Sequence, residues 1–446
     1  MGWIHTDQAI KTAKTLECNE SNPLVTIQIQ GEQKSMIEQQ NLIYVGVDLH
    51  KQHHTAVIID CWSKKLGELK FDNKPSAFPL LLKELKKYIK KGLSVVYGLE
   101  DVGGYGRGLA VYLKDNRCWV KEVNAKLANA RRKSHVNVQK SDSWDAECVA
   151  KVLRDELERL PDARPVDLFW AISQLVTQRK WLANSLTETV KKMHQQISYS
   201  YPSYKKFFSE VEGKTALAFW ETYPSPYTLK DMSEEALAAF LRKHSNNGLS
   251  HKKANQILTL IDADGETYRD FQDSRDSVVV SQVESARFFQ EQLVSIEGKI
   301  EHLMQQLGFQ LESMTGINVV TAAQLVAKIG DIHRFSSSDK LARFAGIAPV
   351  IVGSGNKFRN CKSKQGNRVL HEIIKSLAIR QIGVTRTKRE PKNAYFHAYY
   401  EQKIAEGKTK QQASVCLMRK LVNIIYVMMK KKSAYVMPDT PAQQAG

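Results

Sequence analysis

The period of the apolar positions changes twice along the chain. From Ile43 to Val123, short β-branched runs alternate with stretches of helical spacing. Ile43–Asp48, Thr55–Asp60, Leu66–Phe71, Leu93–Leu99 and Cys118–Val123 read as strands, because continuous Val/Ile runs bounded by polar turns suit a buried sheet. Phe78–Lys90 and Leu109–Lys114 carry apolar residues at helical spacing, and so does Trp144–Leu160. Strands interleaved with helices in this way predict an α/β domain with a mixed sheet. Beyond it the period stays helical. Leu168–Ser198 and Ser277–Leu307 read as two long helices, the second with a heptad-like stripe (Val283, Phe288, Phe289, Leu293, Ile296, Ile300, Leu303). They flank short helices with aromatic punctuation between Tyr201 and Asp264. Long helices around an insertion predict an antiparallel arm or coiled coil, a seam for packing or dimerisation.

The boundaries follow. Residues 1–40 form a polar extension and 41–160 the α/β domain. Residues 161–310 form the helical arm, 311–435 a mainly helical C-terminal domain, and 436–446 a tail. In the C-terminal domain Met314-Thr315-Gly316-Ile317-Asn318 leads into an apolar helix, Val319–Ile329, and Gln411–Lys432 is a second. A glycine hairpin between helices is a helix-hairpin-helix-like element, a common clamp on DNA backbone. Its usual second glycine is replaced here by Asn318 or Val319, and two packed core helices explain the pattern equally well.

Charge narrows the choice of partner. Lys and Arg number 65 against 47 Asp and Glu, a formal net charge of +18. Between Ile351 and Lys432 there are 19 basic residues against four acidic ones, so most of the excess sits in the C-terminal fifth. A localised basic surplus indicates a polyanion, most commonly nucleic acid. The six cysteines (18, 61, 118, 148, 361 and 416) lack CxxC spacing, which argues against a zinc site or a disulfide scaffold and suits a reducing cytosol. No apolar run is long enough to suggest a membrane span, and no signal-like segment opens the chain. The expectation is a cytoplasmic protein with no membrane partner.

The chemistry lies in the acidic residues of the less basic half. Asp48 closes an apolar strand and Glu100 closes another, before the turn Val102-Gly103-Gly104-Tyr105-Gly106. Asp142 and Asp145 open a helix and share one of its faces. A carboxylate inside an apolar run is costly unless it meets a cation. Four brought together call for divalent ions, and oxygen ligands suit magnesium, with manganese the alternative. Such ions activate a nucleophile and stabilise the leaving oxygen of a phosphodiester. Taken singly, each acid has a structural explanation: Asp142 or Ser141 as helix cap, Asp48 as a turn residue, Glu100 paired with a lysine.

Strand-Asp, then Glu before Gly-Gly-Tyr, then Lys140-Ser141-Asp142-Ser143-Trp144-Asp145-Ala146, resembles the DEDD transposases of insertion sequences. Residues 311–380 resemble that family's C-terminal domain through Thr315-Gly316-Ile317, Gly330-Asp331, Arg334-Phe335, Leu341–Pro349, Gly353-Ser354-Gly355 and Lys364-Gln365-Gly366-Asn367-Arg368. The resemblance implies an RNase H-like, RuvC-like catalytic domain with Asp48, Glu100, Asp142 and Asp145 as catalytic metal ligands. It also implies Ser354 as a nucleophile that holds DNA as a phosphoserine. Ser354 sits between two glycines, where the backbone is free to present it to a bulky phosphate; an ordinary Gly-Ser-Gly turn is the bland alternative. Lys357, Arg359, Lys362, Lys364 and Arg368 follow it closely and suit contacts to backbone phosphates. The expected activity is cutting and rejoining of double-stranded donor and target DNA by a homodimer or tetramer. The resemblance adds a structured guide RNA encoded by the element. A RuvC-like nuclease for branched DNA, acting without a covalent intermediate, and a non-enzymatic nucleic-acid-binding protein are the competing expectations.

Overall fold

The computed structural model describes residues 39–437 except 91, 135–140, 349, 355–356, 362–365, 386 and 388; for 350–354 and 357–361 it describes the backbone. The chain forms two compact units, the first ending at Pro165 and the second beginning at Val166.

The first unit is built on a five-stranded mixed sheet. Its strands are β1 (Leu42–Leu49), β2 (His53–Ile59), β3 (Lys65–Asp72), β4 (Ser94–Leu99) and β5 (Trp119–Glu122), in the order β3-β2-β1-β4-β5. The first three form an antiparallel meander, and β4 and β5 add parallel to β1. Parallel additions need crossovers, which α1 (Phe78–Leu85) and α2 (Arg107–Asp115) supply. Helices α3 (Ala125–Lys133) and α4 (Asp142–Asp155) follow. All five predicted strands are present. The helix expected at Trp144–Leu160 begins two residues earlier and stops at Asp155, and α3 was not foreseen.

Strand alternation divides the sheet into two faces. Ile43, Val45, Val47, Tyr97 and Leu99 pack with α1 and α2, whereas Leu42, Tyr44 and Val96 pack with α4 through Val149, Ala150 and Leu153. That same α4-covered face of β1 carries Gly46, in line with Tyr44. A β-carbon there would lie 2.2 Å from the Ala146 carbonyl oxygen and 2.2 Å from the Ala150 nitrogen, so α4 crosses β1 in backbone contact.

The second unit is helical. The long helices α5 (Asp167–Ser200) and α9 (Gln272–Leu307) pack antiparallel and enclose α6 (Lys214–Thr222), α7 (Glu234–His244) and α8 (His251–Asp264) between them in sequence. At one end, Met193 and Ile197 of α5 meet Val279, Val283 and Ala286 of α9 around an aromatic core with Phe219 and Trp220. At the other, Ile172 and Val176 join Ile300 and Met304 in a core shared with the C-terminal elements. The C-terminal elements are α10 (Val319–Ile329), α11 (Ser338–Phe344), the hairpin β6 (Val350–Ser354) and β7 (Lys357–Cys361), α12 (Arg368–Ile382), α13 (Ala394–Ala405) and α14 (Lys410–Lys431), of which the helices supply residues to that core. Of the heptad-like stripe, Val283, Ile296 and Ile300 are buried while Phe288 is exposed.

Two details differ from the sequence expectation. The segment before Gly316 is a three-residue 3-10 turn, Leu311–Ser313, rather than a helix of a hairpin pair. Gly316 takes a left-handed φ of +85°, and Asn318 caps α10 by accepting from the Thr321 amide at 3.0 Å. Buried Gln381 of α12 donates to the Thr315 carbonyl and fastens the turn to the core. Secondly, α14 is long and apolar enough to cross a membrane by length and composition. Its apolar face (Leu417, Leu421, Val422, Ile425) is buried in the core of the second unit, which explains that composition without a bilayer.

Candidate active site

The pleat places the acids. Asp48 lies two residues beyond Gly46, and Glu100 two beyond Gly98, both on the face that α4 covers. The parallel register pairs Val47 with Leu99, so Asp48 and Glu100 leave adjacent strands at the same level. Gly98 admits the Leu153 and Val123 side chains at 3.2 and 3.0 Å from where its β-carbon would sit. Because α4 touches β1 at Gly46, its first turn overhangs the same edge and carries Asp142 and Asp145 there. Ser141 is the helix cap, accepting from the Trp144 amide at 3.2 Å, which leaves both aspartates for other work. The four acids thus converge, and Asp48, Glu100 and Asp145 interact electrostatically.

Two groups of basic side chains face the cluster, and neither was recognised in the sequence. On one side, His50 Nε2 stands 2.9 Å from Asp48 Oδ2 and 3.5 Å from Asp142 Oδ1. His53 Nε2 reaches Asp142 Oδ2 at 3.2 Å, with Lys70 Nζ at 3.7 Å. On the other, Arg132 of α3 pairs with Glu100 through Nη2 at 2.6 Å and with Asp145 through Nε at 2.8 Å. The alternation Asp48-Leu49-His50 put His50 on the acidic face and could have exposed it. Arg132 lies in a basic helical stretch that reads like any solvated face.

Burial pushes the carboxyls of Asp48 and Glu100 above their usual range, opposed by His50 at the first and by Arg132 at the second. Asp142 is more exposed, and its hydrogen bond with His53 holds it below that range. Burial draws the Arg132 guanidinium down, but Glu100 and Asp145 outweigh it and the net shift is upward. Half-buried carboxylates with an under-compensated charge favour an added cation. One ligand atom each from Asp48, His50 and Asp142 lies within 4.8 Å of the others, a spacing that fits one divalent ion. The donors are carboxylate oxygens and an imidazole, compatible with magnesium or manganese.

The glycine-rich turn after Glu100 is shaped by Asp101, whose Oδ2 accepts from the Tyr105 amide at 3.0 Å. A β-carbon at Gly104 would sit 2.0 Å from that oxygen, which explains the glycine. Of the second unit's candidates, Ser354 ends β6 and pairs with Lys357 across the hairpin. Arg368 is exposed at the start of α12. The side chains of Ser354, Lys357 and Arg359, and all of Lys362 and Lys364, lie outside the described residues.

Acids gathered beyond the central strands of a mixed sheet, in a chain whose helical unit is basic, suit an enzyme of phosphodiester chemistry on nucleic acid. Residues 45–202 match a family described as Transposase, of the DEDD type, and residues 309–401 match the Transposase IS116/IS110/IS902 family. The chain belongs to this family of transposases, enzymes that cleave and join DNA. It is 23% identical over 398 residues to the insertion element IS110 uncharacterized 43.6 kDa protein of Streptomyces coelicolor, covering 88% of this chain and 95% of that one. The transposase for insertion sequence element IS1111A of Coxiella burnetii is 28% identical over 127 residues, 28% of this chain and 34% of that one. The pilin gene-inverting protein of Moraxella bovis is 30% identical over 144 residues, 32% of this chain and 42% of that one.

Proposed function

We propose that this transposase recombines double-stranded donor and target DNA with two sets of groups: the carboxylates Asp48, Glu100, Asp142 and Asp145, and the hydroxyl of Ser354. The convergence of the four acids on one face of a five-stranded sheet carries the proposal, and the fold it implies is RuvC-like, of the RNase H type. Magnesium, or manganese in its place, would be held by the four carboxylates and would supply charge stabilisation at the phosphodiester. Attack of the Ser354 hydroxyl on phosphorus forms one P–O ester as another breaks, and the departing DNA oxygen takes the serine proton. Exchanging one ester for another conserves the bond, so strands can be rejoined without an external energy source.

Lys357, Arg359, Lys362, Lys364 and Arg368 follow Ser354 in sequence and neutralise backbone phosphates, which positions DNA without reading it. Sequence choice falls to a structured guide RNA encoded by the element, and two duplexes are held by a homodimer or tetramer in the cytoplasm. The domain limits 41–160, 161–310 and 311–435 separate carboxylate chemistry, helical arm and serine chemistry.

The test is strand exchange and covalent trapping with Ser354→Ala protein. The expected result is loss of both exchange and the protein–DNA adduct. Exchange at the wild-type rate would overturn the serine mechanism, and cleavage without exchange or adduct in wild-type protein would favour a carboxylate-only nuclease. Sequencing of RNA that co-purifies with the protein tests the guide: one discrete element-encoded species is expected, and its absence would remove that part.

A further inference from the structure

The acidic cluster has two halves that are neutralised differently. Asp48 and Asp142 face the imidazole of His50, which is 45% exposed. Glu100 and Asp145 face Arg132, whose side chain is 20% exposed between partners at 17% and 15%. A guanidinium keeps its charge at any working pH and offers donors in a rigid fork, so this pairing is held by a fixed charge. Its helix is anchored as well. Ala128 of α3 is buried against α4, neighbouring Arg131 pairs with Asp155 at 3.4 Å, and Asn124 caps the helix start by accepting from the Lys126 amide at 2.9 Å.

Resting on the proposal that these carboxylates hold divalent ions, we infer that Arg132 is a resident cation filling the Glu100–Asp145 half, so that the free protein takes one divalent ion, at Asp48, His50 and Asp142. A second ion enters only when Arg132 leaves its two carboxylates, and the DNA phosphate that the reaction brings in is the natural acceptor for the released guanidinium. Arg132 is thereby a positioning residue that sets the order of assembly: one ion first, and full charge on the site only with DNA present. Premature loading of both positions, and stray cleavage with it, is suppressed.

The test is Mn2+ binding to the full-length protein without DNA, read from the paramagnetic resonance of free Mn2+. Wild-type protein should bind one ion tightly and a second at least about tenfold more weakly, the smallest gap expected when a directly paired charge blocks the position. Arg132→Met should strengthen the second ion by roughly tenfold or more, and Arg132→Lys, which keeps a cation there, should not. Asp142→Asn should abolish the tight ion while Glu100→Gln leaves it within about threefold. That last pair decides the matter even where Arg132→Met fails to fold. Two equal ions in wild-type protein, no change in folded Arg132→Met, or loss of the tight ion in Glu100→Gln would each overturn the role of Arg132 alone. No Mn2+ bound by wild-type or by Arg132→Met would overturn the metal-bearing cluster itself, and this inference with it.

Discussion

The backbones of Gly46 and Ala146 touch: a β-carbon on residue 46 would lie 2.2 Å from the carbonyl oxygen of Ala146. This single approach sets the height at which α4 crosses the sheet, and therefore where Asp142 and Asp145 stand relative to Asp48.

Gly46→Ala is expected to destabilise the first unit by about 3 kcal/mol, the upper part of the range for overpacking, because the atoms met are main chain and cannot rotate away. Gly103→Ala, where a β-carbon meets nothing within 4 Å, should change stability by less than about 0.5 kcal/mol. Urea titration of both variants checks this, and equal midpoints would sink it.

Stability should also depend on pH through His54. This ring is fully buried beside Phe71 and Phe78, and its Nδ1 accepts from the His50 amide at 3.3 Å. Burial lowers it from 6.5 to about 4. The unfolded chain therefore binds a proton that the folded one refuses between those values. The contribution is complete above pH 6.5, is lost as the pH falls toward about 4, and changes no further below that. The loss should amount to about 3 kcal/mol, and His54→Phe should flatten the acid limb of the stability profile. An unchanged acid limb in that variant would assign the pH dependence elsewhere.

Gln381 ties the Gly316 turn to α12 by donating to the Thr315 carbonyl. Gln381→Leu leaves that carbonyl without the donor and is expected to cost about 1–3 kcal/mol. Thermal denaturation of the second unit's aromatic signal, compared with Gln310→Leu at an exposed position, provides the measurement; identical melts would show the bond to be dispensable.

DNA affinity should fall with salt in proportion to the phosphates neutralised. Replacing Lys357, Arg359, Lys362, Lys364 and Arg368 together by Gln should reduce the slope of log K against log[salt] by roughly 4.5, at about 0.9 per contact. Filter binding on one duplex at several salt concentrations reads this directly. A slope that does not move would place the phosphate contacts on other residues.

The elements were legible where local pattern decides them. β1, β2 and β4 announced themselves as β-branched runs, and α5, α9, α10 and α14 as long periodic stretches. The short β6–β7 hairpin and α3 carry no comparable signal: Ala125–Lys133 is polar and basic, with Ala128 its one buried residue. The helix foreseen at Phe78–Lys90 ends at Leu85, because Tyr88 and Ile89 turn back onto the sheet core rather than continue the coil.

The acids show the same division. Alternation along β1 and β4 and the shared face of a helix start were enough to select Asp48, Glu100, Asp142 and Asp145, since each depends on periods of two or three to four residues that are written in the chain. What compensates them was not. Arg132 meets Glu100 and Asp145, and His53 meets Asp142, across separations in sequence that no periodicity relates. Coulombic pairing depends on distance through space, and that distance exists only once the sheet is ordered and α4 has settled on Gly46. Sequence by itself determined the sheet's strands, the long helices, the four acids and the family resemblance. Tertiary structure alone decided which basic side chains face which acids, and hence that one half of the cluster meets a guanidinium and the other imidazoles.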